Sequence, residues 1–145
     1  MQKKYIGIIV LALVIVGILS IFTYNGLYDI TQRNEVKLSV TKTIESFNGN
    51  LTSVILTEGK YYSFVLDEKL TTILVHPRED LVNTQPTVLN FADISINEML
   101  FRLDKYGSTW INYEFYNPET GNVDPKSAYF VKEGNYIFGA GYYHP

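Results

Sequence analysis

Residues 109–143 read TWINYEFYNPETGNVDPKSAYFVKEGNYIFGAGYY, and the alternation of strand formers with turn formers in this stretch decides the fold. Thr109 to Tyr116 is rich in β-branched and aromatic residues, and Asn117-Pro118-Glu119-Thr120-Gly121 is a cluster of turn residues. A second strand is expected from about Lys126 to Lys132, a turn at Glu133-Gly134-Asn135, and a third strand from Tyr136 to Tyr143. Connections this short join antiparallel neighbours.

Upstream, Ser95-Ile96-Asn97-Glu98 has the S-x-x-E capping pattern. Met99, Leu100 and Leu103 continue the face begun by Ile96, with Lys105 in the last turn and Gly107 beyond, so a helix is predicted from about Ile94 to Tyr106. Arg78 to Ala92 lacks sustained periodicity and reads as an irregular crossover. Before it, Tyr61 to Leu66 and Thr71 to His76 are two runs of strand formers around Asp67-Glu68-Lys69, a hairpin that Pro77 ends. From Val36 the apolar residues Val40, Ile44, Phe47 and Leu51 keep helical spacing, although Asn48-Gly49-Asn50 is a stop signal. The main helix is therefore expected to end near Phe47, with a short helical piece after it. One α+β domain follows: a long helix packed on a five-stranded antiparallel sheet.

Tyr5 to Tyr24 carries no charge, and as a helix rising about 1.5 Å per residue it spans roughly 30 Å of hydrocarbon. Lys3 and Lys4 precede it and the next basic residue is Arg33, a bias that predicts a cytoplasmic N-terminus and an exported remainder. Ser20 to Tyr24 offers no small-residue cleavage pattern, so a retained anchor is expected rather than a signal peptide. The expected organisation is a cytoplasmic N-terminus at residues 1–4, a transmembrane helix at 5–24, a juxtamembrane segment at 25–35 and an extracytoplasmic domain at 36–145.

Composition narrows the chemistry. Beyond Lys4 the chain holds ten basic and fifteen acidic residues, without a basic cluster for phosphates, so nucleic acid is not an expected partner. Cysteine is absent, which removes disulfides, thiolate ligands and a thiol nucleophile. The two histidines do not suggest a metal pair, since His144 sits at the C-terminal end. No G-x-S-x-G, H-E-x-x-H, P-loop or dinucleotide fingerprint occurs, and neither a cofactor nor catalysis is expected.

The order long helix, hairpin ending in His-Pro, crossover, helix and three antiparallel strands resembles the single Cache domain, the PAS-like extracellular sensor module of bacterial and archaeal chemoreceptors. The residues carrying the resemblance are Tyr61 to Asp67, Val75-His76-Pro77, Trp110-Ile111-Asn112-Tyr113, the Asn117 to Gly121 turn with Pro125-Lys126-Ser127-Ala128-Tyr129, and Tyr136 to Tyr142. It covers most of the chain from about Val36 to Tyr142. Two features depart from the family pattern: a short N-terminal helical region, and a crossover without the usual glycine near Asn83.

The resemblance implies a pocket on one side of the sheet for a small carboxylate, amino acid or similar metabolite. Such a pocket needs a fixed positive charge, orienting donors and apolar walls. Lys126 matches the lysine of the family's P-K-x-x-Y pattern and is the candidate charge, placed at a strand entrance; the alternative is a solvated strand-end lysine. Tyr62, Trp110, Tyr113 and Tyr129 match aromatic positions of the family's sheet and are candidate donors or walls, with ordinary packing as the alternative. His76 is either a carboxylate donor or a structural histidine before Pro77. Parity divides the set, because Lys126 and Tyr129 face opposite sides of a regular strand, as do Trp110 and Tyr113. Each pair shares one pocket only if Lys126 precedes the regular strand or a bulge intervenes.

The expected function is thus a membrane-anchored, extracytoplasmic sensor module for a small molecule. With four residues before the membrane segment and none after Pro145, it is expected to act with a separate signalling receptor; a homodimer is plausible through paired helices. Two alternatives stand beside this reading. A pilin-like subunit is one, since the basic N-terminus, Gly7 and apolar helix fit it, although this chain has Ala12 where many pilins carry Glu. An accessory interaction module with a degenerate pocket is the other.

Overall fold

The structure is a computed structural model describing residues 2–86, 92–117 and 119–144, with side chains from residue 13 onward. The chain divides into two compact units, Met1–Asn34 and Glu35–Pro145. Helix α1, Gln2–Ser46, runs through the first unit into the second. Residues 25–35, expected as a juxtamembrane segment, are helical.

In the first unit the apolar side chains from Leu13 to Phe22 are largely exposed. Hydroxyls within this stretch are satisfied by the helix itself: Ser20 donates to the Val16 carbonyl (2.8 Å) and Thr23 to those of Ser20 and Leu19. An apolar helix with its polar groups internally bonded suits a hydrocarbon surrounding. It is long and apolar enough to cross a membrane.

The second unit holds strands β1 (Ser63–Asp67), β2 (Ile73–Val75), β3 (Ser108–Asn117), β4 (Asn122–Glu133) and β5 (Tyr136–Tyr143), with helix α2 (Ile96–Tyr106) between β2 and β3. They form one antiparallel sheet in the order β2-β1-β5-β4-β3. Helix α2 begins as its cap predicts, with Ser95 Oγ accepting from the Glu98 N–H (3.2 Å). It ends at Gly107, whose φ of 73° suits a residue without Cβ. Helix α1 ends at Ser46 before Gly49 (φ 91°), and a 3₁₀ turn at Leu51–Ser53 supplies the short helical piece.

Several boundaries differ from expectation for local reasons. Strand β1 starts at Ser63 because Gly59–Tyr61 forms a 3₁₀ turn. Strand β2 is shorter than predicted because Asp67 takes the N–H groups of Thr71 (2.6 Å) and Thr72 (2.7 Å). Strand β4 starts at Asn122, so Lys126 lies inside the strand rather than at its entrance. Pro125 fits there because its carbonyl accepts from the His144 N–H (2.9 Å). A strand residue's N and carbonyl point the same way, so the missing N–H lies on that side and leaves the β3 ladder intact. Asn83, near the position where the family has glycine, takes the left-handed φ of 64° that asparagine tolerates well. Residues 87–91 of the crossover lie outside the described residues.

The sheet separates two cores. On one face Val36 and Val40 of α1 pack with Val65, Phe138, Ala140 and Tyr142. On the other, Met99 and Leu103 of α2 pack with Phe64, Leu66, Ile111, Phe130 and Ile137.

Candidate functional site

The face opposite α1 is incompletely filled. Between the sheet and the crossover lies a cavity of about 110 Å³, walled by Tyr62 and Phe64 from β1 and its approach, His76 beyond β2, and Leu81 and Pro86 of the crossover. Tyr113 and Phe115 of β3 and Lys126 and Phe130 of β4 also line it, as do Leu66 and Ile73 and the polar Thr84 and Gln85 of the crossover. A larger cleft of about 470 Å³ adjoins it, bordered by the same Tyr62, His76 and Phe115 and reaching out to Glu58 and Arg78.

Lys126 dominates the electrostatics. It is 1% exposed, and its ammonium donates to the Tyr62 hydroxyl at 2.8 Å. It also lies 4.4, 4.7 and 5.1 Å from the ring centres of Tyr62, Tyr143 and Phe115. Ring faces favour a cation but do not neutralise it. Among the described residues no Asp or Glu lines the cavity. Burial without a counter-ion pushes the lysine down from 10.5 to about 7.

The neighbours respond to the same environment. His76 is pushed down to about 4, first by burial and then by the charges of Lys126 and Arg78. Its Nδ1 accepts from the Arg78 N–H (3.0 Å), so the neutral ring carries its proton on Nε2. Its ring packs edge-on against Tyr62 at 5.3 Å. Burial raises the phenols of Tyr62, Tyr113 and Tyr143, so all three stay protonated at neutral pH. The site therefore offers one cation and several neutral groups able to donate, within apolar walls.

Glycines make the lysine's position accessible. A Cβ on Gly141 would stand 2.9 Å from Lys126 Cε and 2.7 Å from the Ser127 carbonyl oxygen. One on Gly139 would stand 2.7 Å from the Phe64 ring. Alternate glycines of β5 thus open the cavity face to the lysine stem and to the aromatic wall.

Of the six candidate residues, Tyr62, His76, Tyr113 and Lys126 line this cavity. Trp110 and Tyr129, expected with them, do not line it. Lys126 stands in the regular ladder, paired with Tyr113 and Tyr143, so parity sends Tyr129 and Trp110 to the α1 face. There they stack on each other at 5.1 Å and pack against the core around α1. Sequence reasoning passed over Tyr143, Phe115 and Gly141. Parity within β3 and β5 would have selected Phe115, two residues from Tyr113, and the alternating Gly139, Gly141 and Tyr143.

A helix-backed antiparallel sheet with a cavity on its other face is the architecture of a PAS-like sensor domain. The family profile of the Cache domain matches residues 20–144, and the chain belongs to that family, whose members are ligand-sensing modules. Solved structures share the fold. A methyl-accepting chemotaxis protein from Vibrio parahaemolyticus superposes with a TM-score of 0.56 at 14% identity, over 83% of this chain and 90% of that one. A periplasmic sensor domain of a chemotaxis protein gives 0.51 at 15% identity, over 79% and 89%. A Cache chemosensory domain whose structure is described as the basis for carboxylic acid recognition gives 0.50 at 18% identity, over 81% and 74%. No curated protein sequence matches the chain.

Proposed function

We propose that this chain is a membrane-anchored, extracytoplasmic sensor module that binds a small carboxylate at Lys126. One observation carries the ligand class: a buried lysine faces a cavity with no acid among the described lining residues. An entering carboxylate supplies the missing counter-ion and accepts hydrogen bonds from the ammonium, with the Tyr62 hydroxyl and His76 Nε2–H beside it. Charge-assisted bonds of this kind are strongest where water is excluded. An amine would meet repulsion from Lys126, and the ammonium of an amino acid would find no carboxylate in the inner cavity. The site binds its ligand rather than transforming it.

The anchor reading rests on the exposed apolar run of α1, and the orientation on Lys3 and Lys4. A cysteine introduced at an exposed position such as Thr120 reports the side: labelling by an impermeant maleimide in intact cells supports export, and protection refutes it.

A thermal-shift screen of the full chain in detergent tests the ligand class, using acetate, propionate, lactate, alanine and propylamine. A bound ligand at about a hundred times its dissociation constant adds about 2.7 kcal/mol. Stabilisation by carboxylates alone is expected. Stabilisation by propylamine, or by no compound, overturns the reading, and the second result favours an interaction module.

A further inference from the structure

The face of β1 turned away from the cavity is joined to α1 by hydroxyl groups. Ser39 and Thr43, one turn apart on α1, are buried, as is Ser63 at the start of β1. Thr43 Oγ1 donates to the Ser39 carbonyl (3.0 Å), so its bond to Ser63 Oγ (2.7 Å) must be one that it accepts. Ser63 Oγ in turn accepts from the Thr57 N–H (2.9 Å). The protons therefore run one way, from the Thr57 amide through Ser63 and Thr43 to the backbone of α1.

A second bond runs the opposite way. Ser39 Oγ donates to the Tyr61 carbonyl (2.6 Å) and also meets Thr57 Oγ1. Thr57 Oγ1 reaches the same carbonyl at 3.1 Å. The two sets of bonds grip the residues on either side of Tyr62, the residue whose hydroxyl holds Lys126. An apolar contact would let this segment slide along the helix, whereas directional bonds with buried partners fix its register.

We infer that Ser39 and Thr43 are positioning residues of the ligand site: they hold the Tyr61–Ser63 segment so that a shift of the Tyr62 wall is carried into α1. The inference rests on the Lys126 cavity being the ligand site and assigns how that site is read out. Its test uses no ligand, so a failure of carboxylate binding and a failure of coupling are seen separately.

The test is a double-mutant cycle read by hydrogen exchange on the full chain in detergent, with Tyr62→Phe cutting the bond to Lys126 and Thr43→Val cutting the hydroxyl chain. Tyr62→Phe alone is expected to speed exchange of the α1 amides 43–46 at least threefold while leaving those of β3 and β4 unchanged. In the Thr43→Val background the same substitution is expected to add nothing further in α1. Unchanged α1 exchange in Tyr62→Phe, or effects that simply multiply in the double variant, overturns the inference. If Thr43→Val does not fold, Ser39→Ala replaces it in the cycle, with the same two outcomes.

Discussion

Replacing Lys126 with methionine separates the charge from the shape of the site. Methionine is unbranched and comparable in length, so it keeps the stem over Gly141 and removes the ammonium. The lysine shifts from 10.5 in ordinary surroundings to about 7 in the folded protein, through burial. The sign follows from proton counts. Between about pH 7 and 10.5 the unfolded chain binds this proton and the folded one has lost it, so raising pH through that window stabilises the fold. Below about 7 both states are protonated and the fold carries the full cost of a buried charge. At about 1.4 kcal/mol per unit, that cost is roughly 4–5 kcal/mol, an upper figure because denatured chains are themselves partly structured.

Lys126→Met is therefore expected to be more stable than wild type by about 2–4 kcal/mol at pH 6, within the range seen when buried charges are replaced by apolar groups. The gap should close toward zero by about pH 10. Urea unfolding of the full chain in detergent, followed by fluorescence of Trp110, measures it. The difference between the two proteins cancels the titrating groups that Lys126 does not influence; His76, which the lysine's charge helps to depress, adds to the gap only below about pH 6.5. A methionine variant less stable than wild type at pH 6, or a gap independent of pH, would refute the picture of an uncompensated charge. The same charge governs binding. A carboxylate needs the ammonium, so its affinity should be flat below about pH 7 and fall about tenfold per unit above it. The methionine variant should show no thermal shift with acetate at any pH.

Other outcomes follow from the geometry. Gly141→Ala should lower stability by about 1–3 kcal/mol and weaken acetate binding, because its Cβ meets both a backbone carbonyl and the lysine stem; a denaturant melt and a calorimetric titration check the two effects, and an unchanged affinity would show that the stem's position is unimportant. His76 should stay neutral from pH 8 down to about 5, with the proton on Nε2. A nitrogen-15 chemical-shift titration with a midpoint between 6 and 7 would contradict this. Its depressed value also means that the stability it contributes is lost as pH falls from about 6.5 toward 4. Tyr129→Phe should leave the acetate response untouched, since Tyr129 stands on the α1 face; a tenfold loss of affinity would reinstate it as a site residue.

The legible parts of this fold are those set by local chemistry. The Ser95 cap, the Gly107 stop and the turns at Gly121 and Gly134 each follow from a few residues acting on their neighbours. Lys126, Tyr62, Tyr113 and His76 were singled out through a family resemblance, together with Tyr129 and Trp110; strand parity separated Lys126 from Tyr129 and Trp110 from Tyr113 but did not say which of them face the cavity. Where the reading went astray, a long-range partner decided. The start of β4 was missed because the ladder continues to Asn117 and Asn122 at its end, two residues with poor strand preference held by their partners. Gly141 was passed over because its role depends on a lysine stem fifteen positions earlier, which only the β4–β5 register brings above it. The hydroxyl chain escaped notice for the same reason: serine and threonine on an amphipathic helix read as ordinary polar residues until Ser63 and Thr57 stand opposite them.

The placement of Tyr62 explains how one sheet can serve both a cavity and a helix. Phe64, Tyr113, Phe115, Lys126 and Phe130 all belong to paired strands, and moving any of them breaks ladder bonds, each worth about 1 kcal/mol net and more if left unpaired. Tyr62 precedes the first paired residue of β1, Ser63 opposite Ala140, and follows a single 3₁₀ turn. It is a wall of the cavity that can shift without unzipping the sheet, and it touches the cation that a ligand would claim. A carboxylate arriving at Lys126 would take up the ammonium's remaining donors beside the one that the Tyr62 hydroxyl already accepts. One wall that lies outside the strand ladder is thus fastened to α1 through Ser39 and Thr43, so the proposed capture and the proposed readout meet at a single side chain.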